Sequence, residues 1–418
     1  MGAHGVNVKE RGISVGVLGG GLQGCCTALA LAERGLTVVL FDRRHGLLER
    51  TAVANEGKIH LGYMYAGDPT LSTARMMMEG ALAFAPFMQR YLGLPLDALE
   101  TSIPAAYVVH RDSQHSAQVV TAYMAEVHRL VMQAATGREP AYFGFDLSTP
   151  PRLWTAQQRD AAFNSEMALT VLDTQEVAIN PVTLAAALRT CVFNHPRIET
   201  RLNRYVEGVE KTGRSLRGMS DGVDGRSIDF FDHVVNALWD GRLAVDETMG
   251  LRPTRPWLHR LKYGISFTLP AGLAVPPSAT FVSGPFGEVV SYADRLTYLT
   301  WYPECLRGIS ADVRPPDWPT YPSKPLSAEV LTGTISAMSE IMPCLAALKG
   351  ASLPDALVKG GVIVAWGETD IYDPLSELHR RYEIGVTSEG RYHSIDPGKL
   401  TMAPYFAERC ADRVAACA

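Results

Sequence analysis

The chain has 418 residues, 47% of them apolar and 20% charged, the balance of a globular enzyme large enough for about two hydrophobic cores. Its 39 lysines and arginines against 44 acidic residues leave a net charge of −5, and its isoelectric point is about 6.1. That balance excludes a surface built to hold a polyphosphate backbone, so the expected partner is a small molecule and not nucleic acid.

The amino-terminal stretch MGAHGVNVKERG lacks the apolar core of an export signal, and no run of about eighteen apolar residues occurs, so neither secretion nor a membrane span is expected. Cysteines stand at positions 25, 26, 191, 305, 344, 410 and 417, an odd count with no C-x-x-C and no zinc-ligand spacing. This fits a reduced, cytoplasmic protein with mostly buried thiols and no metal site; oligomeric state is left open.

Ile13 to Asp42, ISVGVLGGGLQGCCTALALAERGLTVVLFD, reads as strand, glycine turn, helix and strand. Val15 to Leu18 is a short apolar run suited to a strand buried on both faces. Gly19, Gly21 and Gly24 follow with G-x-G-x-x-G spacing. The first glycine permits a tight turn, the second lets backbone approach a pyrophosphate, and the third lets the helix pack on the strand. The helix from Leu22 to Arg34 places Leu22 and Gln23 at the turn and stops at Gly35. Thr37 to Phe41 is the next strand, and Asp42 ends it where a carboxylate accepts ribose hydroxyls. The unit predicts the adenosine end of a dinucleotide, with nicotinamide and flavin both open. Arg43 and Arg44 follow; Asp42 disfavours a ribose 2′-phosphate there, which leaves them as loop arginines bordering the cofactor.

Thr51 to Ala66, TAVANEGKIHLGYMYA, narrows the choice, because glycines at this density suit backbone lying against a flat ligand. The pattern N-x-G-K-I-H-x-G-Y resembles the segment after the second strand in flavoproteins of the D-amino acid oxidase superfamily. Its wording is most similar to the glycerol-3-phosphate and L-2-hydroxyglutarate dehydrogenase branches. The resemblance implies an α/β fold: a Rossmann-like FAD-binding domain of glutathione-reductase type, interleaved with an α+β substrate domain built on a mixed or antiparallel sheet. It also implies that Asn55, Glu56, Gly57, Lys58, Ile59 and His60 run past the FAD, with Tyr63 near the substrate. His60 matches a histidine that in some relatives is bonded covalently to the flavin; non-covalent contact and a plain loop histidine are the alternatives.

Apolar residues at helical spacing predict a helix from Asp68 to Tyr91, where Arg75 reads as a surface residue. A strand over Ala105–His110, a helix over Val119–Ala134 and an aromatic stretch over Arg138–Arg152 follow. Asn180 and Pro181 start another helix. HPRIETRLNRYVEGVE then reads as two strands, and the resemblance sets Val206 against the adenine. In DHVVNA it brings Asn236 and Ala237 back to the cofactor, although the glycine expected shortly after is displaced around Trp239. Leu261–Leu269 reads as a strand and Glu288–Tyr302 as a hairpin; the resemblance implies that they form a platform over the flavin's substrate face, with Tyr263, Trp301 and Tyr302 as pocket or packing aromatics. Ser327–Met342 is a further helix and Gly360–Trp366 a strand. Asp396 and Pro397 start a terminal helix whose first turn, Gly398, Lys399, Leu400 and Thr401, the resemblance points at the flavin ring.

These segments assign 12–94, 176–250 and 355–418 to the FAD-binding domain and 95–175 and 251–354 to the substrate domain. The resulting expectation is an FAD-dependent oxidoreductase taking a hydride from a CH–OH carbon of a small polar substrate, a hydroxy acid or sugar-like molecule. His60, Tyr302 and His393 are the candidate bases. Oxidation of an amine or amino acid on the same scaffold is the alternative, and a redox-neutral flavoprotein isomerase a more distant one.

Overall fold

The computed structural model describes residues 12–93, 95, 99–138 and 142–417. Residues 1–11, the bulk of the stretch read above for an export signal, lie outside them, as do 94, 96–98, 139–141 and 418.

β1 (Ser14–Leu18) lies near the centre of a six-stranded sheet. It pairs in parallel with β2 (Thr37–Phe41) on one side and with His233–Asn236 on the other. Ile198–Arg201 extends the sheet beyond β2. Tyr392–Asp396 and the antiparallel Gly385–Glu389 extend it beyond His233–Asn236. Val15, Val17, Val38 and Leu40 are wholly buried, which is why both strands read as unbroken apolar runs. α1 (Leu22–Glu33) is buried from Leu22 to Ala32 against this sheet and the terminal helix Ala403–Ala416. Cys25 and Cys26 let the helices close, and burial pushes both thiols up, so they pack and do not react.

α2 (Ser72–Leu92) buries the stripe Ala74, Met77, Met78, Ala81, Leu82, Ala85 and Met88 and leaves Arg75 exposed. Asp68 lies outside the helix and accepts a hydrogen bond from Thr73 N (2.8 Å). Asn180 caps the helix Pro181–Asn194 through Val182 N (3.0 Å).

A nine-stranded, mostly antiparallel sheet forms the other half. Its order runs Leu306–Ser310, Trp257–Thr268, Leu296–Trp301, Gly287–Ser291, Ala279–Val282, β3 (Ala106–His110), Ala168–Asp173 and Arg152–Leu153. Arg204–Thr212, Ser215–Gly222 and Ser227–Phe231 make a small third sheet. The two large sheets draw on alternating stretches of chain, which supports the proposed interleaving of domains.

One strand departs from that division. Leu357–Trp366, grouped by sequence with the FAD-binding segments, pairs along Trp257–Thr268 in the nine-stranded sheet. Its apolar run GGVIVAW reports burial, and burial does not say in which sheet. Among the described residues, no helix is long and apolar enough to cross a membrane.

The halves are joined by a buried ion pair. Lys58 Nζ reaches Glu288 and Thr280 on the nine-stranded sheet, with the Lys58 and Glu288 side chains 1% and 10% exposed. Removing one partner strands the other charge. Glu288→Met should therefore cost about 3–5 kcal/mol of stability, and Lys58→Met added to it should recover most of that loss. Thermal melts of the single and double variants check this; a double variant no better than the single one would contradict it.

Candidate active site

A cleft runs between the two large sheets, from the glycine turn to the loop around Arg381. Gly19, Gly21, Leu22, Gln23, Asp42, Arg43, Arg44, Val206 and Ala237 line one end. Gly19 takes φ +100°, and a Cβ there would lie 2.7 Å from Ala237 O. Gly24 sits behind the wall, where a Cβ would come within 1.7 Å of Gly19 O. Gly21 differs, because a Cβ on it would meet nothing within 4 Å. Here α1 begins with no side-chain cap and no acidic residue in its first turn, so its N–H groups and partial positive charge are open to the cleft. Gln23 Oε1 is buried nearby without a hydrogen-bond partner.

Asp42 is fixed by N–H donors from Gly20 and Arg44, both at 2.8 Å, while burial raises its carboxyl above the usual range. Arg43 pairs with Asp317 at 3.1 Å, and Arg50 grips Asp240 through two bonds of 2.9 and 2.8 Å. Val206 and Ala237 line the wall, but Asn236 does not. The Asn236 amide is turned into the protein, donating to Asp246, Tyr392 and Arg242 O (2.9 Å each), and so shapes the turn from behind. Trp239, near the displaced glycine, adopts φ +57°, a left-handed backbone that costs a non-glycine residue about 1–2 kcal/mol. Its indole N–H donates to Val362 O (2.7 Å) across the cleft.

The loop after β2 enters next. Asn55, Glu56, Lys58 and His60 line the cleft, whereas Gly57 and Ile59 face away from it. Gly57, at φ +76°, has no room for a Cβ, which would lie 1.9 Å from Ile179 O. Ile59 is wholly buried in the core. The Asn55 side chain spans Thr51 O (2.7 Å) and Gly57 N (2.8 Å), holding the bend.

His60 Nδ1 lies 3.2 Å from Glu176 Oε1, and its Nε2 has no hydrogen-bond partner among the described residues. Glu176 is wholly buried and also accepts Leu61 N (2.6 Å) and the Tyr107 hydroxyl. Burial would raise its carboxyl, but the hydrogen bond and charge of His60, Lys58 and the Tyr107 bond hold it below the ordinary range.

Around this end stand Lys262, Lys399 and Arg381. Burial pushes the Lys399 ammonium down to about 8 against the pull of Glu56. Glu56 would rise on burial, but Lys262 and Lys399 bring its carboxyl to about 2. Burial lowers Arg381 to about 10, so it stays cationic near neutral pH. Its Nη1 donates to Val364 O (2.7 Å) and Gly398 O (3.0 Å), and it has no acidic partner among the described residues. Three cations against one carboxylate make this end of the cleft attract anions.

Several expected contacts fall elsewhere. Tyr263, Trp301, Tyr302, Tyr63 and His393 do not line the cleft. Along Trp257–Thr268, side chains alternate: Leu261, Tyr263, Ile265 and Phe267 enter the core, which turns Lys262 to the cleft. The Tyr263 hydroxyl ends on Pro319 O (3.2 Å). Trp301 packs against Phe281 and Phe286, and Tyr302 donates to Asp370 Oδ1 (2.7 Å), which also holds Arg260. Tyr63 lies by His128 (3.4 Å) with its ring edge toward Tyr107. His393 stacks on His233 inside the six-stranded sheet and bonds Ser388 (2.9 Å), and burial lowers it to about 4. It is no base for this cleft.

The terminal helix also begins later than its start signals suggest. The strand runs through Asp396, Gly398 turns at φ +60°, and a short 3-10 turn over Leu400–Met402 leads into Ala403–Ala416. Gly398, Lys399 and Leu400 line the cleft, whereas Asp396 bonds Gly398 N (3.1 Å) and Arg242 (3.3 Å). Thr401 lies behind the wall, where its hydroxyl accepts His60 N (3.0 Å) and donates to Lys58 O (3.2 Å). Glu176, Lys262, Arg381 and the Arg50–Asp240 pair were not expected. Among the described residues no His, Cys, Asp and Glu cluster suits a metal ion.

The two glycines separate packing from binding. Gly24→Ala should cost stability by at least about 1–3 kcal/mol, because the clash is with backbone. Gly21→Ala should leave the melting temperature of the cofactor-free protein unchanged while lowering its retention of a nucleotide cofactor. Melts and absorbance of the purified variants check both; unaltered cofactor content in Gly21→Ala would contradict the assignment.

Known proteins share this architecture. The L-α-glycerophosphate oxidase of Mycoplasma pneumoniae, solved with FAD bound, superposes with a TM-score of 0.64 at 16% identity over 97% of this chain and 94% of that one. Iminodiacetate oxidase from Chelativorans sp. BNC1 gives 0.67 at 16% identity over 96% and 95%, and glycine oxidase from Geobacillus kaustophilus 0.64 at 13% over 96% and 95%. In sequence, glycerol 3-phosphate oxidase of Mycoplasma pneumoniae is 32% identical over 96 residues, which span 23% of this chain and 24% of that enzyme. The family described as DAO, FAD dependent oxidoreductase, matches residues 14–348, and the chain belongs to that family of FAD-dependent enzymes.

Proposed function

We propose that the chain oxidises the CH–OH carbon of a small substrate that carries an anionic group. The observation that carries this reading is His60, whose Nε2 is free at the cation-rich end of the cleft while Nδ1 is tied to a buried carboxylate. FAD suits the cleft: the open start of α1 and Gly21 would receive its pyrophosphate, Asp42 its ribose, and Gly398, Lys399 and Leu400 the flavin end. FAD, when bound, supplies a two-electron acceptor that takes the hydride from the substrate carbon.

The chain supplies the rest. His60 Nε2 receives the hydroxyl proton, leaving the O–H electron pair to form the carbonyl. Lys262, Arg381 and Lys399 hold the substrate's anionic group and orient its carbon. The weak sequence match to glycerol 3-phosphate oxidase, a phosphate-bearing alcohol's enzyme by name, supports an anionic alcohol. Oxidation of an amine is the second reading, favoured by the amine and amino-acid oxidases among the structural relatives. A neutral amine gives up hydride without a protein base, so it leaves His60 and its carboxylate unused. All seven cysteines are unpaired, which supports a reducing, cytoplasmic setting.

An anaerobic panel of anionic alcohols and amines, followed by flavin absorbance near about 450 nm, tests the reading. Anionic alcohols should bleach the flavin, and His60→Gln should slow bleaching by about 10²- to 10⁴-fold while keeping the yellow colour. Bleaching by amines alone would overturn it. A pH dependence follows from Lys399, which is charged below about 8 and neutral above. KM for the anionic substrate should rise as pH passes through that value, and Lys399→Met should abolish the step in a KM–pH profile.

A further inference from the structure

We propose that Glu176 is a positioning residue, which fixes the proton of His60 on Nδ1 and so keeps Nε2 ready to accept the substrate's. This rests on the alcohol reading above. Glu176 lies in DTQEVAIN, between the strand Ala168–Asp173 and the residues that bridge to the loop of His60. Its backbone is fixed on both sides: its N–H donates to Thr174 Oγ1 (3.1 Å), and its carbonyl accepts Ala105 N (2.8 Å). The side chain leaves this mount wholly buried, accepts from Leu61 N and the Tyr107 hydroxyl, and stands 3.2 Å from His60 Nδ1.

Each donor has a consequence. Burial, and then the charge of Glu176, raise the Tyr107 phenol, so it stays a hydroxyl that donates. The Leu61 amide can only donate. With both filled by fixed donors, the carboxylate remains an anion facing His60 Nδ1, and only an N–H on that nitrogen satisfies it. A buried anion at Nδ1 also stabilises the imidazolium formed when Nε2 takes the hydroxyl proton, since the new charge appears beside an opposite one in a dry setting. Lys58, whose charge also acts on Glu176, is occupied by Glu288 and Thr280. The other titratable neighbours of His60 are Tyr65, whose ring stands edge-on at 5.7 Å, Glu56 and His379. Burial and the surrounding cations lower His379 to about 3, so it is neutral near pH 7 and does not compete as an acid.

Glu176→Gln keeps the shape and removes the charge. In the holoenzyme its kcat for an anionic alcohol should fall by about 10²-fold or more with little change in KM. The acid limb of its rate–pH profile should move to lower pH, because the anion that stabilises the imidazolium is gone. Glu176→Asp, which keeps the charge, should recover part of the rate. His60→Gln/Glu176→Gln should be no slower than His60→Gln alone, as expected of residues acting as one unit. A slow His60→Gln beside a Glu176→Gln of unchanged rate and pH profile overturns the positioning role and spares the alcohol reading. An unaffected His60→Gln overturns both. Should Glu176→Gln not fold, imidazole ¹⁵N spectra of the wild-type holoenzyme decide. A His60 resonance pattern with the proton on Nδ1 supports the inference, and a proton on Nε2 overturns it.

Discussion

Residues 57–62 have almost no secondary structure of their own, and the candidate site depends on how they are held. Distant segments satisfy their backbone. Gly57 O accepts Ile179 N, Ile59 N donates to Val177 O, and Ile59 O accepts the Tyr142 hydroxyl. Thr401 bridges Lys58 O and His60 N, Glu176 takes Leu61 N, and the Tyr123 hydroxyl reaches Gly62 O. A buried polar backbone is stable only when so paired. The same pairing holds the loop among residues 176–179, the tyrosines Tyr123 and Tyr142, and the turn before the terminal helix. His60 is therefore presented on a rigid support although it lies in a loop, the condition a proton acceptor needs.

The two ends of the cleft use different electrostatics. At the glycine turn, attraction for an anion comes from backbone, the open N–H groups at the start of α1, while most arginines nearby are answered by carboxylates such as Asp240 and Asp317. At the other end the charge is carried by side chains. Lys262, Lys399 and Arg381 converge from three separate stretches of chain, and burial keeps Lys399 near its point of neutrality. The first arrangement attracts an anion through backbone N–H groups, which do not titrate. The second responds to pH and to the charge of what enters.

Local patterns made much of this legible. The β1–α1–β2 unit, its glycines and Asp42 stand where spacing placed them, because strand, turn and helix are specified by neighbours in sequence. The loop pattern around Lys58 and His60 likewise marked a wall of the cleft. What was not legible depends on contacts far apart in the chain. Lys262 and Tyr263 are adjacent, and the alternation of Leu261, Tyr263, Ile265 and Phe267 would have set the tyrosine in the core and the lysine in the cleft. Glu176 sits in a stretch with no motif, and its meaning arises only when residues 176–178, which follow the strand Ala168–Asp173, lie against the loop of His60. Arg381 lies in an irregular polar loop, which offers no periodicity to read. His393 looked chemical by residue type alone, and its place in the six-stranded sheet removes it.

In the proposed reaction an alcohol carbon loses hydride while His60 accepts the hydroxyl proton. Its most direct measurement is single-turnover, anaerobic bleaching of the holoenzyme by an anionic alcohol deuterated at the carbinol carbon, in wild type and His60→Gln. Slower bleaching by the deuterated alcohol in wild type, and a large loss of rate in the variant, are the expected results. An alcohol that leaves the flavin oxidised, beside an amine of the same charge that bleaches it equally in both proteins, would contradict the claim.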